Sequence, residues 1–194
     1  MKRKMIVLMG GQGVGKRTHA RRLIDENGYK YVEAGAILRE LPPESPVAQI
    51  MARGELVPDD KLFVIIGDAI NQVNNADMIV DGFPRTIGQA KWLVQQYSSK
   101  YDIHIIYLNV PEKIMLQRIE NRINQGGGRA DDADATIVRR RLDNFWKTTM
   151  PAIEWLRTAP GIQFSDVDVS QFEFESNYAN VCQALKLNPK KTNK

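Results

Sequence analysis

The stretch MIVLMGGQGVGKRTHARRL, beginning at Met5, constrains the fold of this chain more than any other. An apolar run of five residues meets four glycines, Gly10, Gly11, Gly13 and Gly15, which lead directly into Lys16 and a basic segment with helical spacing. An unbroken apolar run of this length suits a strand buried on both faces, as in the middle of a parallel sheet. The pattern then recurs. A helix is expected from about Lys16 to Asn27, and YKYVEAG leads into AILRE. ADMIVDGFP leads into a helix from about Thr86 to Tyr97, and IHIIYLNV into PEKIMLQRIENRI, with Pro111 at the first helical position and Glu112 near the positive helix end. GIQFSDVDV supplies a last strand and SNYANVCQALKL a last helix. Strands alternating with helices imply crossover units, hence an α/β fold with a parallel sheet covered on both faces.

Two inserts interrupt this rhythm. Residues 40–66 carry PPESP and two short helical pieces, read as a small helical flap. Residues 124–135, NQGGGRADDADA, are polar with three glycines in a row and read as a loop.

Composition narrows the function classes. At 194 residues, 43% hydrophobic and 26% charged, the chain has the profile of one globular domain. Its apolar runs are far too short to span a bilayer, and the five apolar residues after the charged start read as a strand rather than a signal peptide. Cys182 is the only cysteine, which excludes an intrachain disulfide and a cysteine-built zinc cage and points to the cytoplasm. The formal charge of +4 does not argue for nucleic acid, because the last nine residues, KLNPKKTNK, hold four lysines and no acid, leaving the body neutral.

Gly10, four residues, then Gly15-Lys16 fits the first part of the phosphate-loop pattern in the strand-to-helix context that its mechanism requires. Bare backbone wraps a phosphate with several N–H groups, the helix N-terminus adds a positive field, and Lys16 brings a full charge to the outer phosphates. The other reading of these residues is a tight turn with a surface lysine. The pattern normally closes with Ser or Thr directly after the lysine, to reach magnesium. Here Arg17 stands there and the hydroxyl comes at Thr18. Either a metal is held elsewhere, or the loop belongs to a branch that reads Gly-Lys-x-Thr.

VDGFPRTIGQA, from Val80 to Ala90, closely resembles the signature of the adenylate kinases, whose loop reads Gly-Lys-Gly-Thr; here Arg17 replaces the third residue. EAGAILRE, GELVPDD, the paired arginines of QRIENR and GRADD match in order, so that the resemblance runs from about Met5 to Phe172. It implies a P-loop NTPase-type three-layer fold with a five-stranded parallel sheet. The core would comprise 1–32, 67–123 and 136–186, with an NMP-binding insert at about 33–66, a short lid at about 124–135 and a basic tail at 187–194. It also implies a cytoplasmic monomer that uses ATP and AMP, with Mg2+ and no zinc, and that binds neither nucleic acid nor membrane.

Transferred residue by residue, the resemblance assigns the ATP side to Gly11, Gly13, Val14, Gly15, Lys16, Arg17, Thr18, Arg118, Arg122 and Gln171. Arg118 would stack on the donor adenine, which the Gln171 backbone would adjoin. The AMP side would be Ala34, Gly35, Arg39, Leu56, Val57, Gly82, Arg85, Gln89, Arg129 and Arg141, with Arg39 and Arg85 on the phosphate, Leu56 and Val57 lining the base, and Gln89 reading the adenine edge. Lys16, Arg85, Arg122, Arg129 and Arg141 would surround the transferred group. The stretch after Arg129 is one residue longer than in the family, so Arg140 competes with Arg141 for that place; Arg141 is favoured because it precedes leucine. Asp81 would hold magnesium through water, and Asp131 and Asp132 would pair within the closed lid. Arg139 reads as a solvated position, His19 as a surface helix residue and His104 as a strand residue.

The departures are Arg17, Glu33, Ala34 and Ala36. Ala34 is the residue found in pyrimidine-accepting relatives, whereas Thr86 and Gln89 point to adenine. The expected reaction is MgATP + AMP ⇌ 2 ADP. The alternatives are a kinase preferring UMP or CMP and a nucleotide-binding protein with weakened activity.

Overall fold

Burial of β1 (Arg3–Met9) sets the centre of the molecule: Met5, Ile6, Val7 and Leu8 are at most 1% exposed. Each such side chain contributes roughly 1.5–3 kcal/mol relative to exposure. The computed structural model describes residues 2–73, 75–125 and 134–189. In it β1 lies between β3 (Met78–Asp81) and β4 (Tyr101–Asn109), with β2 (Lys30–Glu33) and β5 (Gln163–Asp168) at the edges, giving the order β2-β3-β1-β4-β5. All four pairings are parallel, in the register Leu8↔Asp81 and Leu8↔Ile106. This is the five-stranded parallel α/β sheet expected, with helices around it. In such sheets ligands bind outside the carboxyl ends of the strands. Here those ends deliver Gly10, Ala34, Gly82 and Val110.

Helix α1 (Lys16–Asn27) has the expected bounds. Next come α2 (Ala34–Arg39), α3 (Pro46–Ala52) and α4 (Asp59–Gln72). Ser45 caps α3 by accepting from Ala48 N at 3.2 Å, with Pro46 at its first position. The sequence predicts two short pieces in the flap, but α4 runs fourteen residues, past position 66. Leu62, Ile66 and Ile70 give it a buried stripe at four-residue spacing that the core continues to cover. Helix α5 (Ile87–Tyr97) starts one residue after Thr86, which caps it by accepting from Gln89 N at 3.1 Å. Pro111 likewise stands at the cap of α6 (Glu112–Asn124) rather than inside it. Trp92 of α5 stacks on Phe63 of α4, with ring centres 4.6 Å apart and planes 4° from parallel, while Phe83 meets its edge at 5.8 Å. These rings join the flap side to the sheet.

The stretch 135–157 is helical, which no motif of the sequence marks. Helix α7 (Ala135–Asn144) passes through a π-helical segment, Phe145–Thr149, into α8 (Met150–Arg157). The wider turn just precedes Pro151, whose ring would crowd a regular α-helical carbonyl four residues back. Thr148 Oγ1 donates to Asn144 O at 2.6 Å within it. Helix α9 (Phe174–Ala184) is the last helix among the described residues. Among the described residues, no helix is long and apolar enough to cross a membrane.

Candidate active site

The first glycine loop leaves β1 and turns into α1 at Gly15, whose carbonyl accepts from Thr18 N and His19 N at 3.0 Å each. Gly13 shows why its position is bare. Its φ is +85°, and a Cβ there would lie 2.6 Å from Met115 O. Lys16 Nζ folds back over the loop and donates to Gly10 O at 2.8 Å and Gly11 O at 2.9 Å. The ammonium is thereby held at the loop mouth, where a phosphate bound by the loop would meet it.

This loop is one wall of a cavity of about 450 Å³ that continues to the flap. Gly11, Gly13, Val14, Gly15, Lys16, Arg17 and Thr18 line it from β1 and α1. Ala34, Gly35 and Arg39 line it from α2, Leu56 and Val57 from the flap, and Asp81, Gly82, Arg85 and Gln89 from β3 and its sequel. Arg118 and Arg122, four apart on α6 and so on one face, line it together with Arg141 of α7. Arg140 takes another course. Its Nη1 donates to Arg53 O, and it stands 3.9 Å from Glu55 Oε1. Of the two competing arginines, only Arg141 faces the cavity. Arg139 is exposed and pairs with Asp143 at 3.4 Å. Arg129, Asp131 and Asp132 lie outside the described residues.

Asp81, 5% exposed at the end of β3, accepts from Tyr31 OH at 2.9 Å. Burial first, and then the Asp81 charge, pushes the Tyr31 phenol well above its ordinary range, so that it remains a donor. Among the described residues no group of three or more acid, His or Cys side chains could cage a metal. One carboxylate beside a phosphate loop fits a magnesium ion, which keeps several waters and takes its other oxygens from phosphates. Arg85 is oriented by its Nε donating to Gly82 O at 2.9 Å.

Glu33 carries what the sequence reading left open. Its side chain is 8% exposed between two arginines, 3.1 Å from Arg39 Nη2 and 3.7 Å from Arg17 Nε. Two departures from the family pattern, Arg17 and Glu33, thus pair with each other across the cavity. Arg118 reaches the segment just after the last strand, its Nη2 donating to Val169 O at 2.8 Å and Gln171 O at 3.0 Å, and burial lowers its pKa. This places Gln171 beside Arg118, although Gln171 itself does not line the cavity.

His19 is not a surface residue. It is 2% exposed, its ring centre lies 5.0 Å from that of Phe174, and it lines the cavity floor. Burial, with the Arg118 charge adding, lowers its imidazole from the ordinary 6.5 to about 4. The signal was spacing: His19, Ala20 and Leu23 form one buried face of α1. His104 is a strand residue as expected, bonded to Ser165 Oγ at 2.9 Å. Sequence reading also passed over Asp59, which accepts from Gln89 Nε2 at 2.7 Å.

Comparison with known proteins gives this geometry its family. Residues 8–160 match the model of the adenylate kinase family. The chain is 37% identical to the adenylate kinase of Parvibaculum lavamentivorans over 184 residues, covering 87% of this chain and 89% of that protein. It is 32% identical to the adenylate kinase of Prochlorococcus marinus, covering 86% and 91% respectively. With that of Thermus thermophilus the identity is 36%, over 76% and 80%. The chain belongs to the adenylate kinase family.

Proposed function

We infer that this chain catalyses reversible phosphoryl transfer from ATP to AMP, giving two ADP. The observation that carries this reading is the single cavity in which the phosphate loop and Lys16 face Arg39, Arg85 and Gln89 of a second, separate binding end. Two nucleotides laid end to end would place their phosphates among Lys16, Arg85, Arg122 and Arg141. An oxygen of the AMP phosphate attacks the γ-phosphorus of ATP in line. The bond to the β–γ bridging oxygen breaks, and ADP leaves from each side. Little covalent chemistry is asked of the protein, which positions the two phosphates and stabilises the charge spread over the transferring group. Asp81 is the residue that would hold a magnesium ion through water, and the ion would supply positive charge to the donor phosphates.

Arg39 and Arg85 hold the acceptor phosphate, and Ala34, Gly35, Leu56, Val57, Gly82 and Gln89 enclose the acceptor. Arg118 and the Gln171 backbone form the donor base end. The insert at about 33–66 is read as the acceptor-binding flap, the lid at about 124–135, most of which lies outside the described residues, as the part that closes over substrate, and the enzyme as a cytoplasmic monomer. A coupled assay offering ATP with AMP, UMP, CMP or GMP tests the reading. AMP should be the best acceptor, with two ADP formed per turnover; faster phosphorylation of UMP or CMP at equal concentration refutes it.

A further inference from the structure

Gln89 is 1% exposed and lines the acceptor end of the cavity, yet both ends of its amide are already engaged by the protein. Its Nε2 donates to Asp59 Oδ1 at 2.7 Å, and its Oε1 accepts from Arg85 N at 2.7 Å. Amide orientation is usually a matter of inference, but here each partner has only one possible role. An ionised carboxylate only accepts and a backbone N–H only donates. Turning the amide over would set oxygen against carboxylate and N–H against N–H. One further N–H on Nε2 and one lone pair on Oε1 remain for a ligand.

We propose that Asp59 is a specificity-determining positioning residue, whose carboxylate locks the Gln89 amide in the one orientation that reads an adenine edge. This rests on the acceptor being a nucleoside monophosphate bound beside Gln89. Adenine offers N6–H to Oε1 and N1 to Nε2. The hypoxanthine of inosine monophosphate has the same ring frame with the roles exchanged, O6 accepting and N1–H donating. To pair with it Gln89 must turn over, and Asp59 forbids this. The lock comes from outside the helix that carries Gln89, because Asp59 opens α4 while Gln89 lies in the first turn of α5. Thr86 Oγ1 steadies the same carboxylate, donating to Oδ2 at 3.3 Å. Gly88 makes room for it: a Cβ at that position would lie 2.8 Å from Asp59 Oδ2.

The test uses the full chain and calorimetric binding of AMP and inosine monophosphate, together with steady-state kinetics with AMP. Asp59→Asn keeps the size of the side chain, but its own amide can turn to face either end of Gln89. The ratio of the two dissociation constants should fall by roughly tenfold, while kcat at saturating AMP stays within about threefold of wild type. Gly88→Ala, which pushes the carboxylate aside without altering its charge, should lower the ratio in the same direction by a smaller factor. An unchanged ratio in both variants overturns the proposal. So does an equal weakening of both nucleotides, or a wild-type protein that binds the two alike. A wild-type protein that forms no ADP from ATP and AMP refutes the reading of the reaction. One that does form it, while Asp59→Asn keeps full discrimination, refutes the lock alone.

Discussion

Lys16 and Glu33 bring opposite charges to one cavity, and each has a measurable consequence. The Lys16 ammonium rests on Gly10 O and Gly11 O, and in the proposed reaction it meets the transferring phosphate. Lys16→Met should therefore leave a folded protein whose kcat falls by roughly a hundredfold or more. Activity within a few-fold of wild type would remove the phosphate loop from the mechanism. Glu33 sets a carboxylate beside Arg39, the residue proposed to hold the acceptor phosphate. Glu33→Gln keeps the shape and removes the charge. It should lower the KM for AMP by roughly fivefold, the equivalent of about 1 kcal/mol for a partly solvated pair. A raised KM would mean that the carboxylate aids acceptor binding by orienting Arg39. Nothing local in the sequence pairs Glu33 with Arg17 or Asp59 with Gln89. The partners lie on different elements, and only the return of the chain over the sheet brings them together.

Helix α1 and the segment 135–157 show how legibility changes at the scale of elements. The bounds of α1 were readable because glycines precede it and its apolar period is local. Its buried face is less so, because the residue type of His19 suggests the surface while its spacing with Ala20 and Leu23 sets it in the core. The π-helical segment has no pattern of its own, and it carries the chain smoothly from α7 into α8 past Pro151. The packing of α1 on α9 through His19 has a thermodynamic signature. The folded imidazole titrates near 4 and the unfolded one near 6.5, so below the higher value only the unfolded state takes the proton. Stability is full above about pH 6.5 and is lost as pH falls through the window to about 4, by about 3 kcal/mol in all. Urea midpoints for wild type and His19→Gln should diverge across that window, with wild type losing more. Parallel curves would show that the ring is protonated in the fold without penalty.

The whole molecule brings the residues proposed for the two nucleotides to one cavity, beyond the carboxyl ends of the strands of a single sheet. That overall layout was legible, since five strand-like runs, each with its successor helix, allow few parallel arrangements. A ligand that fills the cavity from end to end should stabilise the fold more than one that fills half of it. Two adenosines joined through five phosphates, at about a hundred times their dissociation constant, should contribute roughly 2.7 kcal/mol, a shift of about 5–10 °C in Tm. ATP or AMP at the same concentration should give less, and equal shifts would mean that the two ends are not joined. The stacked pair of Trp92 and Phe63 adds an optical consequence. Trp92 lies one helical turn beyond Gln89 on α5, while Trp146 and Trp155 sit elsewhere on α7's continuation and α8. With those two replaced by phenylalanine, the remaining indole becomes the only tryptophan of the chain and can be excited selectively beside its six tyrosines. Its fluorescence intensity should change as AMP fills the acceptor end and stay level when ATP alone is added, which turns an aromatic contact of the fold into a titratable signal for one substrate.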